Sequence, residues 1–252
     1  MNVHGMAYFK GKLRGNSIST YPKIKFIIVV NPHNGPGVSL DENYSRDIRK
    51  LNSHPNAVVV GYVSTAYATR QYSAVLEDVL IYAKWRLDGN ELGIRGIFFD
   101  ETPNQWSSAN ASFLRNINSL VKSSSGFGVE RLLKANSCLN KQVIHNPGTI
   151  PHWRLMRGPC LPDIAVVFEA SHQTYFEAGC EEALTKLDVV PERLACIMHS
   201  VPHSLMTASS DVRSQIKQLV PLVRTIFITS QTSDLYTSLG AHWDQFIQAV
   251  NL

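Results

Sequence analysis

The chain has 252 residues, of which 44% are hydrophobic and 17% are charged. That is enough apolar sequence for a large core in one α/β domain, and no apolar stretch approaches the ~20 residues of a bilayer span. The net charge is only +4, without a dense basic run that contains interleaved aromatic residues. This composition does not favour nucleic-acid binding.

Residues 1–20 contain several glycines and basic residues but no convincing period, so we predict an irregular leader there. The leader has no apolar h-region, which predicts no signal peptide and a cytoplasmic location for the chain as written. From residue 21 onward, apolar runs alternate with amphipathic stretches. The apolar runs predict seven buried strands, at 26–30, 57–62, 94–99, 142–146, 164–168, 194–198 and 225–229. Amphipathic stripes predict helices near 44–51, 71–86, 108–123, 176–187, 211–220 and 243–250.

Strands that alternate with helices predict a parallel sheet, and we expect one domain over residues 21–252. Polar or acidic residues follow nearly every strand, which favours a (β/α)8 TIM-like barrel over an open sheet. Seven strands are one fewer than a closed barrel needs, so the pattern predicts a barrel that lacks its first strand. Such a sheet would expose two unpaired edges unless the leader supplies a surrogate strand.

Carboxylates follow two of the predicted strands directly. Asp100 and Glu101 end the run at 94–99, and Glu169 ends the run at 164–168. Residues beyond the carboxyl ends of parallel strands form the working face of such folds, so these acids are candidates for chemistry. The alternative is that Asp100 and Glu101 begin the next helix, whose N-terminal dipole favours acids. Successive strand residues point to opposite faces, so only one of this pair is expected to face the barrel axis.

Other polar and aromatic residues near strand ends are candidates for substrate binding. The aromatic candidates for stacking on a ligand are Tyr62, Tyr67 and Trp106, and the alternative is that each packs in a loop. The polar candidates are Asn31, His33, Asn34, Asn146 and His199. The alternative for the asparagines is that they only cap turns, and the alternative for His199 is a structural role.

Several separated motifs resemble spherulation-specific family 4, the spherulin-4 proteins of fungi and slime moulds. The motifs are VNPHNGPG (30–37), GYVSTAY (61–67), GIFFDE (96–101), NPGT (146–149) and FE (168–169). The resemblance implies a TIM-barrel glycoside hydrolase of fungal cell-wall polysaccharide, similar to enzymes that cleave α-1,4-linked galactosaminogalactan. It also implies a secreted or cell-wall location if the N-terminus is truncated. The family's opening block, a strand of the type Pro-Leu-Tyr-Ile-Tyr-Pro followed by tryptophan, is absent from residues 1–20, in agreement with the count of seven strands.

Glycosidic cleavage requires a carboxylic acid to protonate the leaving oxygen and a second carboxylate to attack or to activate water. We predict Asp100 as nucleophile or stabiliser and Glu169 as acid/base, with Glu101 shifting the pKa of its neighbours. No metal or other cofactor is predicted, because HExxH, CxxC, GxGxxG and GxxxxGK[ST] patterns do not occur. The alternatives to hydrolysis are a barrel that binds spore-wall or cyst-wall glycan without cleaving it and a structural protein of such walls. The partner is therefore a polysaccharide, and the sequence does not predict an oligomeric state.

Overall fold

Eight parallel strands close into a barrel in the computed structural model, which describes residues 4–9, 16–39, 42–87, 92–128 and 141–251. The strands pair in chain order, and the last strand pairs with the first. They are β1 (His4–Phe9), β2 (Lys25–Val30), β3 (Ala57–Ser64), β4 (Gly96–Asp100), β5 (Gln142–Asn146), β6 (Ile164–Ser171), β7 (Leu194–His199) and β8 (Thr225–Ile228). All seven strands predicted from the sequence are confirmed.

Helices follow the strands, as the alternating pattern predicted. They are α1 (Asn16–Thr20), α2 (Glu42–Asn52), α3 (Tyr72–Leu87), α4 (Ser108–Ser123), α5 (His172–Glu177), α6 (Cys180–Thr185), α7 (Ser209–Leu219) and α8 (Trp243–Val250). The single helix predicted at 176–187 is wrong. Two short helices lie there, because Gly179 between them has a left-handed backbone with φ of 62°, a conformation that favours glycine and interrupts a right-handed helix.

The prediction of an irregular leader and a missing first strand is also wrong. Residues His4–Phe9 form β1, which pairs with β2 from the His4–Lys25 position to the Phe9–Val30 position. Two further positions of β1 pair with β8 and close the barrel. The segment has a weak strand pattern of its own, and the unpaired edges of β2 and β8 provide its partners. The expectation for residues 10–15 of the leader lies outside the described residues.

Helix α3 is fixed to the sheet by Tyr82, whose side chain is fully buried. The Tyr82 hydroxyl donates a hydrogen bond to the Val30 carbonyl at 3.0 Å and accepts one from the Tyr62 amide at 3.3 Å. A Cβ atom at Gly61 would lie 2.8 Å from the Tyr82 ring. Glycine at position 61 is therefore required for the Tyr82 ring to reach β2 and β3. The Tyr82 hydroxyl supports the backbone of these two strands under the cleft described below.

Among the described helices, none combines the length and the apolar character that crossing a membrane requires. Cys160, Cys180 and Cys196 are free thiols, while Cys138 lies outside the described residues.

Candidate active site

A cleft of about 330 Å³ opens at the carboxyl end of the barrel. Its wall contains residues near or beyond the carboxyl ends of six consecutive strands, β3 to β8. The lining residues are Tyr67, Asp100, Glu101, Asn146, Pro147, Gly148, Glu169, His199, Leu235 and Tyr236. The three acids that the sequence singled out at strand ends therefore meet in one place.

Asp100, the last residue of β4, accepts three hydrogen bonds. The Tyr62 hydroxyl donates to Oδ2 at 2.8 Å, and the Asn146 side-chain amide donates to Oδ1 at 2.7 Å. The Glu101 backbone amide also donates to Oδ1, at 2.9 Å. Burial raises the pKa of Asp100 above its ordinary value, and the three donors oppose this shift. The donors hold the carboxyl group in one orientation from three sides.

Glu169 lies in β6 just beyond an irregularity in the strand. The pairing of β6 with β7 shifts between Val166 and Phe168, as in a β-bulge, and then continues with Glu169 opposite Ile197. Bulges beside active sites commonly change the direction in which a side chain points. The side chain of Glu169 lines the cleft, in agreement with this role.

The Glu169 carboxyl group also accepts hydrogen bonds from two side chains. The Tyr236 hydroxyl donates to Oε1, and the Asn146 side-chain amide donates to Oε2. Burial raises the pKa of Glu169, and the nearby Asp100 carboxylate raises it further, whereas the two donors lower it. The net shift is upward and favours the protonated acid.

One nitrogen atom, Nδ2 of Asn146, donates to both carboxyl groups. Two N–H···O bonds that share a nitrogen place their acceptor oxygens no more than about 6 Å apart. Two carboxyl groups this close in a half-buried cleft repel each other when both are ionised, so the arrangement favours one proton shared by the pair.

The two tyrosines keep their hydroxyl protons over the neutral pH range. Burial raises the pKa of Tyr62 and of Tyr236 well above the ordinary 10, and the neighbouring carboxylates add to the shift. Each hydroxyl is therefore a hydrogen-bond donor to its carboxyl group.

Glu101 lines the same cleft as Asp100, so the prediction that only one of them faces the axis is wrong. The backbone of Glu101 is left-handed, with φ of 51°, which ends the alternation of the strand. The Thr65 hydroxyl and the Tyr67 amide donate to its carbonyl at 2.7 Å and 2.6 Å. The Ser64 hydroxyl donates to its carboxylate at 2.6 Å. Such a conformation costs about 1 kcal/mol or more and requires support of this kind.

Comparison with known proteins agrees with this architecture. A family model, spherulation-specific family 4, matches residues 14–250. The chain belongs to this family. It is also similar to a solved structure, Sph3 of Aspergillus clavatus in complex with GalNAc, at 35% sequence identity with a TM-score of 0.88. That match covers 100% of this chain and 97% of the other. No protein with a curated description matches. The resemblance predicted from separated motifs is confirmed.

In this spherulin-4 family member, the predicted rim residues Tyr67, Asn146 and His199 lie in the cleft. Tyr67 is 58% exposed and stands in the middle of a run, Ala66–Ala68, whose three residues all have positive φ. His199 is the last residue of β7, and its Nδ1 atom lies 2.9 Å from the Ser200 hydroxyl. Sugar binding by these side chains stays a prediction.

Residues 31–39, the described part of the loop after β2, do not line the cleft, in contrast to what we expected of Asn31, His33 and Asn34. The Asn31 side chain is buried and accepts a hydrogen bond from the Gly35 amide at 2.9 Å. Asn34 has a left-handed backbone with φ of 54°, which asparagine tolerates better than most residues. The turn-forming role of these asparagines is therefore the one that the geometry supports.

Two aromatic residues also depart from the prediction. Tyr62 is only 7% exposed, so its ring is not available as a sugar platform, and its hydroxyl holds Asp100 instead. Trp106 is 42% exposed but lies outside the lining of the cleft, where it contacts His152 and Arg154.

Sequence reasoning missed Tyr236 and Leu235. Both lie in the connection between β8 and α8, among serine, threonine and aspartate residues that show no apolar period. The available signal was the length of this connection, because long loops in compact domains are commonly functional.

Proposed function

We propose that this spherulin-4 family member is a retaining glycoside hydrolase that acts on a polysaccharide containing N-acetylgalactosamine. The observation that carries the proposal is the hydrogen bonding of Asn146 to both Asp100 and Glu169. The two acceptor oxygens, Asp100 Oδ1 and Glu169 Oε2, therefore lie at most about 6 Å apart. This close approach supports the retaining mechanism, in which the carboxyl groups are about 5–5.5 Å apart.

The choice of substrate rests on family membership and on the GalNAc bound to the similar Sph3. A fungal polymer with α-1,4 linkages, of the galactosaminogalactan type, is the substrate that we propose. The cleft is open at the barrel mouth and carries both acids and amide donors, a lining suited to a polyhydroxylated ligand.

In the proposed mechanism, Glu169 donates its proton to the glycosidic oxygen as the bond to the anomeric carbon breaks. Asp100 attacks that carbon, or stabilises its positive charge, from the opposite side. Glu169, now ionised, removes a proton from water, which attacks the anomeric carbon and releases Asp100. Burial raises the pKa of both carboxyl groups. The Asp100 carboxylate raises the pKa of Glu169 further, while three donors favour the ionised form of Asp100, so we assign the proton to Glu169.

The proposal is tested with the wild-type chain and purified N-acetylgalactosamine-containing polysaccharide. Reducing ends should accumulate, and proton NMR should show that the first-formed product keeps the anomeric configuration of the substrate. An inverted first product would contradict the mechanism. If no reducing ends form while the protein still binds the polymer, the chain is a glycan-binding protein and not a hydrolase.

A further inference from the structure

Two tryptophans and two arginines form a stack on the barrel surface. The Arg154 guanidinium carbon lies 4.7 Å from the centre of the Trp106 ring and 5.3 Å from that of Trp153. The Arg157 guanidinium carbon lies 5.2 Å from the centre of the Trp153 ring. We call Trp106, Trp153, Arg154 and Arg157 the tryptophan–arginine stack.

The stack lies at the same end of the barrel as the carboxylates. Trp106 belongs to the loop that follows β4 and begins with Glu101, and Trp153 belongs to the loop that follows β5 and contains Gly148. A hydrogen bond of 2.8 Å from the His152 amide to the Asn104 carbonyl joins these loops. A polymer that leaves the cleft along this part of the rim would meet the stack.

The indole rings of the stack are held in place and still reach solvent. Trp106 is 42% exposed and Trp153 is 54% exposed. Their contacts with the guanidinium groups restrict their motion, so less conformational entropy is lost when a ligand packs against them.

The Arg154 guanidinium group has hydrogen-bonding capacity to spare. Within the described parts of the chain it has no acceptor and no ion-pair partner, whereas Arg157 pairs with Asp188 at 2.8 Å. A guanidinium group presents five donors in one plane. With respect to the described residues, those of Arg154 are therefore available to bind oxygen atoms of a ligand beside the rings.

We propose that the tryptophan–arginine stack is a second carbohydrate site, which binds neutral pyranose units of the polysaccharide whose cleavage takes place in the cleft. This inference rests on the proposed function. The apolar C–H faces of a pyranose pack on an indole ring, and its hydroxyl or amide oxygens accept hydrogen bonds from Arg154. The positive charge of Arg154 disfavours a sugar that carries a free ammonium group.

The test measures the affinity for N-acetylgalactosamine-containing polysaccharide in the Glu169→Gln background, which does not consume the polymer. Adding Trp106→Ala should weaken binding about five- to tenfold, because an aromatic contact of ~1 kcal/mol or more is lost. Adding Arg154→Met, which keeps the apolar stem, should weaken it about threefold or more. Arg46→Met on α2 is the matched control, since it also removes one surface guanidinium group, and should leave the affinity unchanged.

Equal affinities with and without the two stack substitutions would overturn the second site. So would absence of polymer binding when the stack is intact, or an equal loss in Arg46→Met, which would indicate a general charge effect. The wild-type cleavage assay separates this proposal from the first. If the stack variants bind more weakly but wild type does not cleave the polymer, the second site is supported and the hydrolase proposal is wrong. If wild type cleaves the polymer but the affinities are unchanged, the hydrolase proposal is supported and the second site is wrong.

Discussion

Asp100 and Glu169 each accept a hydrogen bond from a tyrosine and one from the same Asn146 amide, but the two tyrosines come from different parts of the barrel. Tyr62 lies in β3, the strand paired with the β4 strand of Asp100. Tyr236 lies in the loop after β8, which is separated from β6 by β7. The Asp100 half of the site is thus built from neighbouring strands, and the Glu169 half depends on the loop that follows β8, two strands away.

This difference fits the roles that we propose. A nucleophile must be held accurately against one carbon atom, and strands give more precise placement than loops. An acid/base group needs a tuned pKa, which a single hydroxyl from a loop can adjust. Asn146 is common to both halves, and the charge of Asp100 raises the pKa of Glu169, so the two carboxyl groups titrate as a pair.

The largest expected effect comes from removal of either carboxylate. Asp100→Asn and Glu169→Gln should each lower kcat on the polysaccharide by ~10²-fold or more, the usual contribution of such groups. The double variant should be little worse than either single variant, because groups that act as a unit are not additive. Glu77→Gln, at an exposed position of α3, is the control and should match wild type. If both single variants kept more than about half of wild-type turnover, the assignment would be wrong.

A smaller effect should separate the two halves. Tyr62→Phe and Tyr236→Phe each remove a hydrogen bond to a carboxyl group, worth ~1.5 kcal/mol or more, so kcat/KM should fall about tenfold in each. Each loss also raises the pKa of the carboxyl group concerned, because the hydroxyl bond lowers it in the wild type. Tyr62→Phe should move the acidic limb of the pH–rate profile to higher pH, since Asp100 must be ionised. Tyr236→Phe should move the alkaline limb to higher pH, since Glu169 must be protonated.

These profiles are measured as kcat/KM against pH, with Tyr72→Phe on the exposed start of α3 as the control. A larger shift of the acidic limb in Tyr236→Phe than in Tyr62→Phe would show that Glu169 is the nucleophile and Asp100 the acid/base. Shifts of the same size in the Tyr72→Phe control would show that direct hydrogen bonds to the carboxyl groups are not the cause.

The last effect is on stability, not on activity, and concerns the sheet that supports Asn146. His145, the preceding residue of β5, is buried, and its Nε2 atom lies 2.8 Å from the Asn118 side-chain oxygen on α4. Burial lowers the pKa of His145 to about 3. The pKa of His145 in the folded protein lies below its unfolded value of 6.5. The contribution of neutral His145 to the free energy of unfolding is therefore complete above pH 6.5 and is lost as the pH falls toward 3.

Urea unfolding between pH 7 and pH 4.5 checks this expectation. His145→Gln, which can still donate to Asn118, should reduce the pH dependence of the free energy of unfolding by up to ~1.4 kcal/mol per pH unit below pH 6.5. A wild-type protein with the same pH slope as the variant would show that His145 is not held neutral in the fold.

Local patterns in the sequence predicted most of the barrel. Seven strands were visible as apolar, β-branched runs, and Asp100 and Glu169 were found because each ends such a run. The parallel order of strands then placed these two acids at the same end of the barrel. Such strands and the acids that end them are recognised from the adjacent residues in the sequence, so no information about distant contacts was needed.

Only the tertiary structure showed β1, the orientation of Glu101 toward the cleft and the contribution of Tyr236. Strand β1 is defined by its partners, β2 and β8, because its own residues have a weak pattern. Glu101 faces the cleft because Thr65 and Tyr67 hold its left-handed backbone, whereas alternation along a strand predicts the opposite face. Tyr236 meets Glu169 across 67 positions of sequence. The sequence by itself determined seven of the eight strands, the family and the two central acids. Contacts between distant segments decided barrel closure and the hydrogen bonds that tune the acids, because such contacts have no signature in local sequence.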